Sequence, residues 1–170
     1  QAIAAACIRP ELVLEPNGAP HWAGCDTALR RNSAALALAR STVTPTGAKA
    51  ELAIAIERVP PQRKLTPEEM EAERKEGKPP GLAPSAVFRE FAELALSYDA
   101  TVIHGDQYYE DTAIEEVPKP QGARGQSLWY KTIVDNTTST SELLTKLRSL
   151  MNEGKAILPN DEGLKQQLRE

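Results

Sequence analysis

Short hydrophobic runs that end at charged or turn-forming residues divide the first third of the chain into three predicted strands. The first run, His21 to Asp26, is halted by a carboxylate, and longer runs follow at Ala34 to Arg40 and Ala50 to Glu57. Because Thr44 to Gly47 has the composition of a tight turn, we predict three antiparallel strands joined by short connections. Alanine favours helices, so a helical interpretation of the second and third runs stays open.

Farther along the chain, hydrophobic residues recur first at helical spacing and then as short strand-like runs. We predict a helix capped by Ser85, a fourth strand from Thr101 to Asp106, a partly helical segment from Gln107 to Val117, and a fifth strand from Leu128 to Val134. The apolar face of the predicted helix, which is spaced to pack on a sheet, consists of Val87, Phe91, Leu94, Ala95 and Tyr98.

The elements together predict one α/β domain over residues 1–170. The segment from Arg58 to Pro84 is rich in Pro, Glu, Lys and Arg, and we predict an exposed insertion with one charged helix that starts at Thr66. A last helix begins at the capping box Ser139 to Glu142 and ends at Gly154. The order βββαβαβα predicts a five-stranded mixed sheet in the order 3-2-1-4-5, with strands 1 to 3 antiparallel and helices on both faces.

Composition and charge narrow the functional classes. The 170 residues are 41% hydrophobic, enough to bury a core without disulfides, so we predict that Cys7 and Cys25 are reduced. No apolar run approaches a membrane span, and Gln1 to Pro10 lacks the pattern of a signal peptide, which predicts a soluble intracellular protein. The net charge of −4 argues against a free-standing nucleic-acid binder, unless acidic residues gather at a metal site or another domain holds the nucleic acid.

Two of the predicted strands, the first and the fourth, end in an aspartate with a glycine close before it. The segments are Gly24 to Asp26 and His104 to Asp106. Carboxylates at the ends of adjacent strands can share Mg²⁺, and two such ions roughly 3.5 to 4 Å apart can promote phosphodiester hydrolysis. The glycines would let a substrate backbone come close. Aspartate also caps turns after strands, so spacing alone leaves a structural role for Asp26 and Asp106 open.

Three stretches resemble the nuclease domain of the large terminase subunit of tailed phages. Gly24 to Ala35 resembles its first acidic motif, Gly105 to Tyr109 its second, and Leu147 to Leu168 its helix, short strand and following helix. The resemblance covers nearly the whole chain apart from the insertion. It implies an RNase H-like fold and a Mg²⁺- or Mn²⁺-dependent endonuclease that cuts concatemeric phage DNA during packaging, with Asp26 and Asp106 as catalytic metal ligands.

The same resemblance implies further ligands and partners. Domains of this family carry a third acidic ligand after the segment that ends at Asp161, and we expect it beyond Glu170, because Asp161 itself is in a helix-capping position. The implied partners are double-stranded DNA, the terminase ATPase domain, the small terminase subunit and the portal, in the host cytoplasm. The chain contains no Gly-x-x-x-x-Gly-Lys-Ser/Thr sequence, so ATP hydrolysis is not predicted. Arg30, Arg31 and Lys131 are candidate DNA-phosphate ligands, with solvated surface charge as the simpler alternative for each.

Both tryptophans, both phenylalanines and one of the two histidines are predicted to be structural. Trp22, Phe88, Phe91 and Trp129 lie in apolar runs, which favours core positions over base-stacking platforms. His104 lies inside a strand, which favours a packed or hydrogen-bonded imidazole over a catalytic one.

Two alternative functions stay open. Another RNase H-like nuclease, such as a junction resolvase or a transposase core, would use the same pair of aspartates. A non-catalytic packaging or assembly module would use those aspartates only to cap turns.

Overall fold

The computed structural model describes residues 1–27, 33–59, 68, 71, 75, 82–107, 109–122, 125–133 and 140–169. Seven strands and five helices have bounds within this described part of the chain. The strands form one sheet in the order β1-β7-β4-β3-β2-β5-β6. In chain order the elements are α1 (Ala2–Ala6), β1 (Cys7–Arg9), β2 (His21–Thr27), β3 (Ala34–Thr44), β4 (Gly47–Arg58), α2 (Pro84–Ser97), β5 (Val102–Gly105), α3 (Glu110–Glu116), β6 (Trp129–Thr132), α4 (Thr140–Asn152), β7 (Ala156–Pro159) and α5 (Glu162–Gln167).

The first three predicted strands are confirmed as antiparallel neighbours, β2 with β3 and β3 with β4. A two-residue turn joins β3 to β4, and the Thr44 hydroxyl donates to the carbonyl oxygen of Gly47 over 2.8 Å. The helical alternative for the alanine-rich runs is wrong. Leu36 and Leu38 of β3 are both buried with the more accessible Ala37 between them, which is the period of two that a strand gives a half-covered sheet.

The predicted number of strands is too small, although the predicted strands lie in the predicted relative order. Predicted strands 3-2-1-4-5 correspond to β4-β3-β2-β5-β6, and β5 and β6 extend the sheet in parallel. The correction lies beyond β4, where β7 and then β1 add two further parallel strands. These two strands have four and three residues, too few to show a hydrophobic period, and only their pairing with distant partners makes them strands.

One face of the sheet is covered by α2. Leu36, Leu38 and Ile103 project from the strands and are fully buried with Phe88 and Phe91 of the helix. The prediction that both phenylalanines belong to the core is therefore confirmed. A second cluster, in which α1, α4 and α5 meet β1 and β7, buries Ala6, Cys7, Met151, Ala156 and Leu158.

The same prediction is wrong for both tryptophans. Trp22 is 58% exposed and Trp129 is 62% exposed. Each stands beside a buried neighbour, Ala23 and Leu128, and successive side chains of a strand point to opposite faces of the sheet. A run of consecutive apolar residues does not reveal which of its two faces the helix will cover.

The helix ends follow two of three sequence predictions. Asp161 caps α5, since its Oδ1 accepts a hydrogen bond from the Leu164 amide over 2.7 Å, and Gly154 follows α4 with a φ of +66°. The cap predicted at Ser85 is wrong, because α2 already begins at Pro84, whose fixed φ suits the first position of a helix. None of the described helices is long and apolar enough to cross a membrane.

Little of the predicted insertion belongs to the described residues. Glu68, Glu71 and Lys75 are helical and exposed, and the Lys75 ammonium lies 3.9 Å from the Glu71 carboxylate. The helix start predicted at Thr66 and the capping residue predicted at Ser139 lie outside the described residues.

A buried carboxylate links three strands on the far side of the sheet from β6. Glu51 of β4 is only 6% exposed, and its oxygens accept hydrogen bonds from Thr42 over 2.7 Å, Arg40 over 2.9 Å and Arg9 over 3.4 Å. Burial by itself raises the pKa of Glu51, but the hydrogen bonds from Thr42, Arg40 and Arg9 outweigh it and lower that pKa below the ordinary value. Glu51 is therefore a buried anion that holds β1, β3 and β4 together.

Candidate metal-binding site

Asp26 and Asp106 lie at the same edge of the sheet, on adjacent parallel strands. Asp26 is the penultimate residue of β2, and Asp106 directly follows the last residue of β5. The two strands pair in parallel with Gly24 opposite His104. Each aspartate lies two residues beyond this pair, and paired residues of parallel strands advance together, so the register predicts that Asp26 and Asp106 lie near the same level.

Side chains of the neighbouring strands β2 and β6 form hydrogen bonds with Asp106. The hydroxyl of Thr27, the last residue of β2, donates to Asp106 Oδ1 over 3.3 Å. The hydroxyl of Tyr130 on β6 donates to the main-chain carbonyl oxygen of Asp106 over 2.8 Å. Asp26 is exposed and Asp106 is half-buried, so both carboxylates are accessible from solvent.

The Cys25 thiol lies beside both aspartates. Burial raises the pKa of Cys25 to about 12; hydrogen bonding with the Tyr130 side chain opposes this change, and the negative charges of Asp106 and Asp26 add to it. The raised pKa favours the protonated thiol at neutral pH. Burial also raises the pKa of Tyr130, so its phenol keeps the proton that it donates. Both Cys25 and Cys7 are free cysteines, as predicted.

The two glycines of the aspartate motifs have different surroundings. A Cβ at Gly105 would overlap the Tyr130 hydroxyl and lie 2.8 Å from Cys25 Sγ. At Gly24, the nearest atom to an added Cβ is the His104 carbonyl oxygen, at 3.9 Å. The protein's own packing therefore requires glycine at position 105, whereas close approach of a substrate stays the prediction for Gly24.

Gly105→Ala is expected to lower the free energy of unfolding by about 1 to 3 kcal/mol, since the added methyl overpacks a site already filled by Tyr130 and Cys25. Gly24→Ala, the matched control in the adjacent strand, is expected to be neutral or slightly stabilising. Urea denaturation of both variants measures the difference. Equal stability of the two variants would contradict the packing described for Gly105.

A turn after Asp106 brings a third carboxylate toward the strand ends. Tyr109 has a left-handed φ of +61°, and α3 starts at the next residue, Glu110. The Glu110 carboxylate accepts a hydrogen bond from the hydroxyl of Thr132, the last residue of β6. Glu110 is thus held at the edge of the site rather than standing free in solvent.

Of the predicted phosphate ligands, only Lys131 belongs to the described residues; Arg30 and Arg31 lie outside them. Lys131 is exposed on β6 and pairs with His104 of β5, which in turn pairs with Gly24. Lys131 therefore lies on the same face of the sheet as the half-buried His104, and His104 precedes Asp106 by two residues.

The donor set suits a hard divalent cation. Carboxylate oxygens are the ligands that Mg²⁺ and Mn²⁺ prefer, and one or two carboxylates often suffice when water and substrate phosphate complete the coordination. Asp26 and Asp106 supply such oxygens, which a hard ion prefers to the sulfur of Cys25. Among the described residues, no group of three or more His, Cys, Asp and Glu side chains is placed to hold a metal ion.

Comparison with known proteins finds likeness only at the level of three-dimensional structure. No protein-family model and no curated protein sequence matches the chain. The crystal structure of the large terminase nuclease from thermophilic phage G20c matches with a TM-score of 0.66 and 16% identity, over 99% of this chain and 78% of that one. The same nuclease with bound magnesium gives 0.66 and 15%, over 99% and 77%. The HK97 bacteriophage large terminase gives 0.63 and 18%, over 98% of this chain and 34% of that one.

The chain has the fold of phage large terminase nucleases. The α/β class and the RNase H-like arrangement expected from the motifs are thereby confirmed, with the strand count corrected as above. At 15 to 18% identity, the likeness extends to the fold and leaves the chemistry to be argued from the residues.

Sequence reasoning missed the residues that hold the candidate site in place. Thr27 lies within the first acidic motif, but its residue type was not singled out, and Tyr130 lies in the fifth predicted strand outside the motifs. Their hydrogen bonds to Asp106 span 79 and 24 residues of chain, so only the paired strands bring them within reach.

Proposed function

We propose that this chain is the nuclease domain of a phage large terminase subunit and that it cleaves double-stranded DNA with Mg²⁺ or Mn²⁺. The observation that supports the proposal is that Asp26 and Asp106 lie at the same ends of two adjacent parallel strands, β2 and β5. The fold supports it, because the similar chains are large terminase nucleases, one of them with bound magnesium.

In the proposed hydrolysis, some residues bind the metal ions and others position the DNA. Asp26 and Asp106 offer carboxylate oxygens to the cations, and Thr27 orients one oxygen of Asp106. When bound, a pair of divalent ions activates water and stabilises the charge that develops on the scissile phosphate. Lys131, together with Arg30 and Arg31, is proposed to hold neighbouring phosphates, since cationic side chains bind phosphate oxygens through charge-assisted hydrogen bonds.

The remaining features of the proposal come with the terminase assignment. A third acidic ligand is proposed to follow Glu170 in the parent protein, to complete the set that Asp26 and Asp106 are proposed to begin. The proposed partners are an ATPase domain, the small terminase subunit and the portal, and the proposed place of action is the host cytoplasm. Cleavage would convert concatemeric DNA into genome lengths.

Anomalous diffraction from crystals soaked in Mn²⁺ tests the metal site. We expect an anomalous peak between the carboxylates of Asp26 and Asp106, and its loss from crystals of Asp106→Asn. A peak elsewhere, or carboxylates too far apart to share an ion, would instead favour a non-catalytic packaging module. Preference of the protein for four-way junctions over linear duplex would redirect the assignment to a junction resolvase.

A further inference from the structure

Tyr130 occupies a fixed place beneath Asp106. It lies on β6 opposite Ile103 of β5, so its ring points to the buried face of the sheet that α2 covers. There it meets the ring of Phe88 edge to face, with the ring centroids 5.8 Å apart and the planes at 79°. Phe88 is fully buried, and the Tyr130 ring is therefore clamped between the sheet and α2.

From this position the hydroxyl reaches the main chain of Asp106 only because residue 105 is glycine. The hydroxyl passes through the space that a Cβ of Gly105 would occupy and donates to the Asp106 carbonyl oxygen over 2.8 Å. The carbonyl of Gly105 itself belongs to the sheet, since it accepts from the Ile133 amide over 2.7 Å. The carbonyl of Asp106 is the first one beyond the strand, and a side chain from β6 supplies its hydrogen bond.

We propose that Tyr130 is a positioning residue for the metal site. Its hydroxyl fixes the peptide that leaves Asp106, and Thr27 fixes the Asp106 carboxylate, so the two bonds together set the place of that carboxylate relative to Asp26. This inference rests on the proposed function, because it concerns how tightly the pair of aspartates holds a divalent cation. Outer groups that orient a metal ligand commonly change metal affinity or activity by roughly 10- to 100-fold when removed.

The chain offers a matched control for this role. Tyr98 is also a buried tyrosine whose hydroxyl donates to a main-chain carbonyl oxygen, that of Leu14, over 2.7 Å. It packs edge to face against His21 with the ring centroids 5.1 Å apart. Tyr98→Phe and Tyr130→Phe therefore each remove a hydroxyl that donates to a main-chain carbonyl oxygen. Tyr130 donates to Asp106, whereas Tyr98 packs against His21, at the opposite end of β2 from Asp26.

The test is a Mn²⁺ titration of each variant that is monitored by electron paramagnetic resonance. A melting curve is recorded for each variant, and the titrations are done at a temperature well below the lower of the two melting points. Tyr130→Phe is expected to weaken Mn²⁺ binding by about tenfold or more. Tyr98→Phe is expected to lose comparable thermal stability and to keep the wild-type Mn²⁺ affinity. Where DNA cleavage is measured, its Mn²⁺ requirement should rise in Tyr130→Phe in the same proportion.

Equal Mn²⁺ affinities of the two tyrosine variants would overturn the positioning role while leaving the proposed function intact, provided that Asp106→Asn abolishes binding. If the wild-type protein binds no Mn²⁺ through Asp26 and Asp106, the proposed function fails first. If Tyr130→Phe is too unstable to titrate, Thr27→Val removes the hydrogen bond that Thr27 donates to the Asp106 carboxylate, and unchanged Mn²⁺ affinity in that variant would overturn positioning by the neighbouring strands.

Discussion

Asp26→Asn or Asp106→Asn is expected to lower Mn²⁺-dependent cleavage of duplex DNA by more than about a hundredfold. Loss of a group that merely orients a metal ligand already costs roughly 10- to 100-fold, and loss of the ligand charge itself should cost more. Asparagine has nearly the shape of aspartate and Asp26 is exposed, so the fold should survive. The measurement is conversion of supercoiled plasmid to linear DNA over a Mn²⁺ series, with circular dichroism to check folding.

Asp111→Asn is the control. Asp111 is an exposed acid on α3, one residue after Glu110, so the substitution removes the same charge near the site and leaves the proposed ligands unchanged. Its activity should stay close to wild type. The assay uses the longest natural polypeptide that contains this chain, since a third acidic ligand is proposed beyond Glu170. Full activity in both Asp26→Asn and Asp106→Asn would rule out the metal-site assignment, whatever the fold.

Glu51→Gln is expected to lower the free energy of unfolding by about 3 to 5 kcal/mol, which is typical when one partner of a buried ion pair is removed. Glu51 is 6% exposed and faces the guanidinium groups of Arg9 and Arg40, and the side chain of Arg9 is itself only 7% exposed. Without the carboxylate, these cations are left in a poorly solvated place. Urea denaturation of the wild type and the variant measures the loss.

Glu90→Gln is the matched control, because Glu90 pairs with Arg58 at the surface, where both side chains are more than 40% exposed. Its effect should not exceed about 1 kcal/mol. The two variants should also differ in acid. The pKa of Glu51 is lowered in the folded state, so its contribution is complete above the ordinary value near 4.3 and is lost as the pH falls through the folded value.

The advantage of the wild type over Glu51→Gln should therefore shrink as the pH is lowered below about 4. An advantage that stays constant down to the acid limit of folding would show that Glu51 stabilises the sheet by packing rather than by charge. A loss no larger than that of Glu90→Gln would contradict the buried network altogether.

Local patterns predicted the elements that are long enough to display a period. The runs that became β2, β3 and β4, and the helix that carries Phe88 and Phe91, were all identifiable, because burial on one face imposes a repeat on the sequence. The strands β1 and β7 were not placed in the sheet, since three or four residues carry no repeat. The exposure of Trp22 and Trp129 was missed for a related reason: alternation marks two faces but not which one a helix covers.

The candidate site divides in the same way. An aspartate at the end of an apolar run is visible in the sequence, and so Asp26 and Asp106 could be named with the likeness of their motifs to terminase nucleases. Their position at the same edge of the sheet depends on the pairing of β2 with β5, strands that are far apart in the chain. The bonds from Thr27 and Tyr130 to Asp106 depend on strand pairing too. Hydrophobic periodicity and the positions of turn and capping residues are local properties, so they can be identified from the sequence. Register, the choice of covered face and the reach of Tyr130 past Gly105 arise from packing between distant segments, which the order of residues alone does not specify.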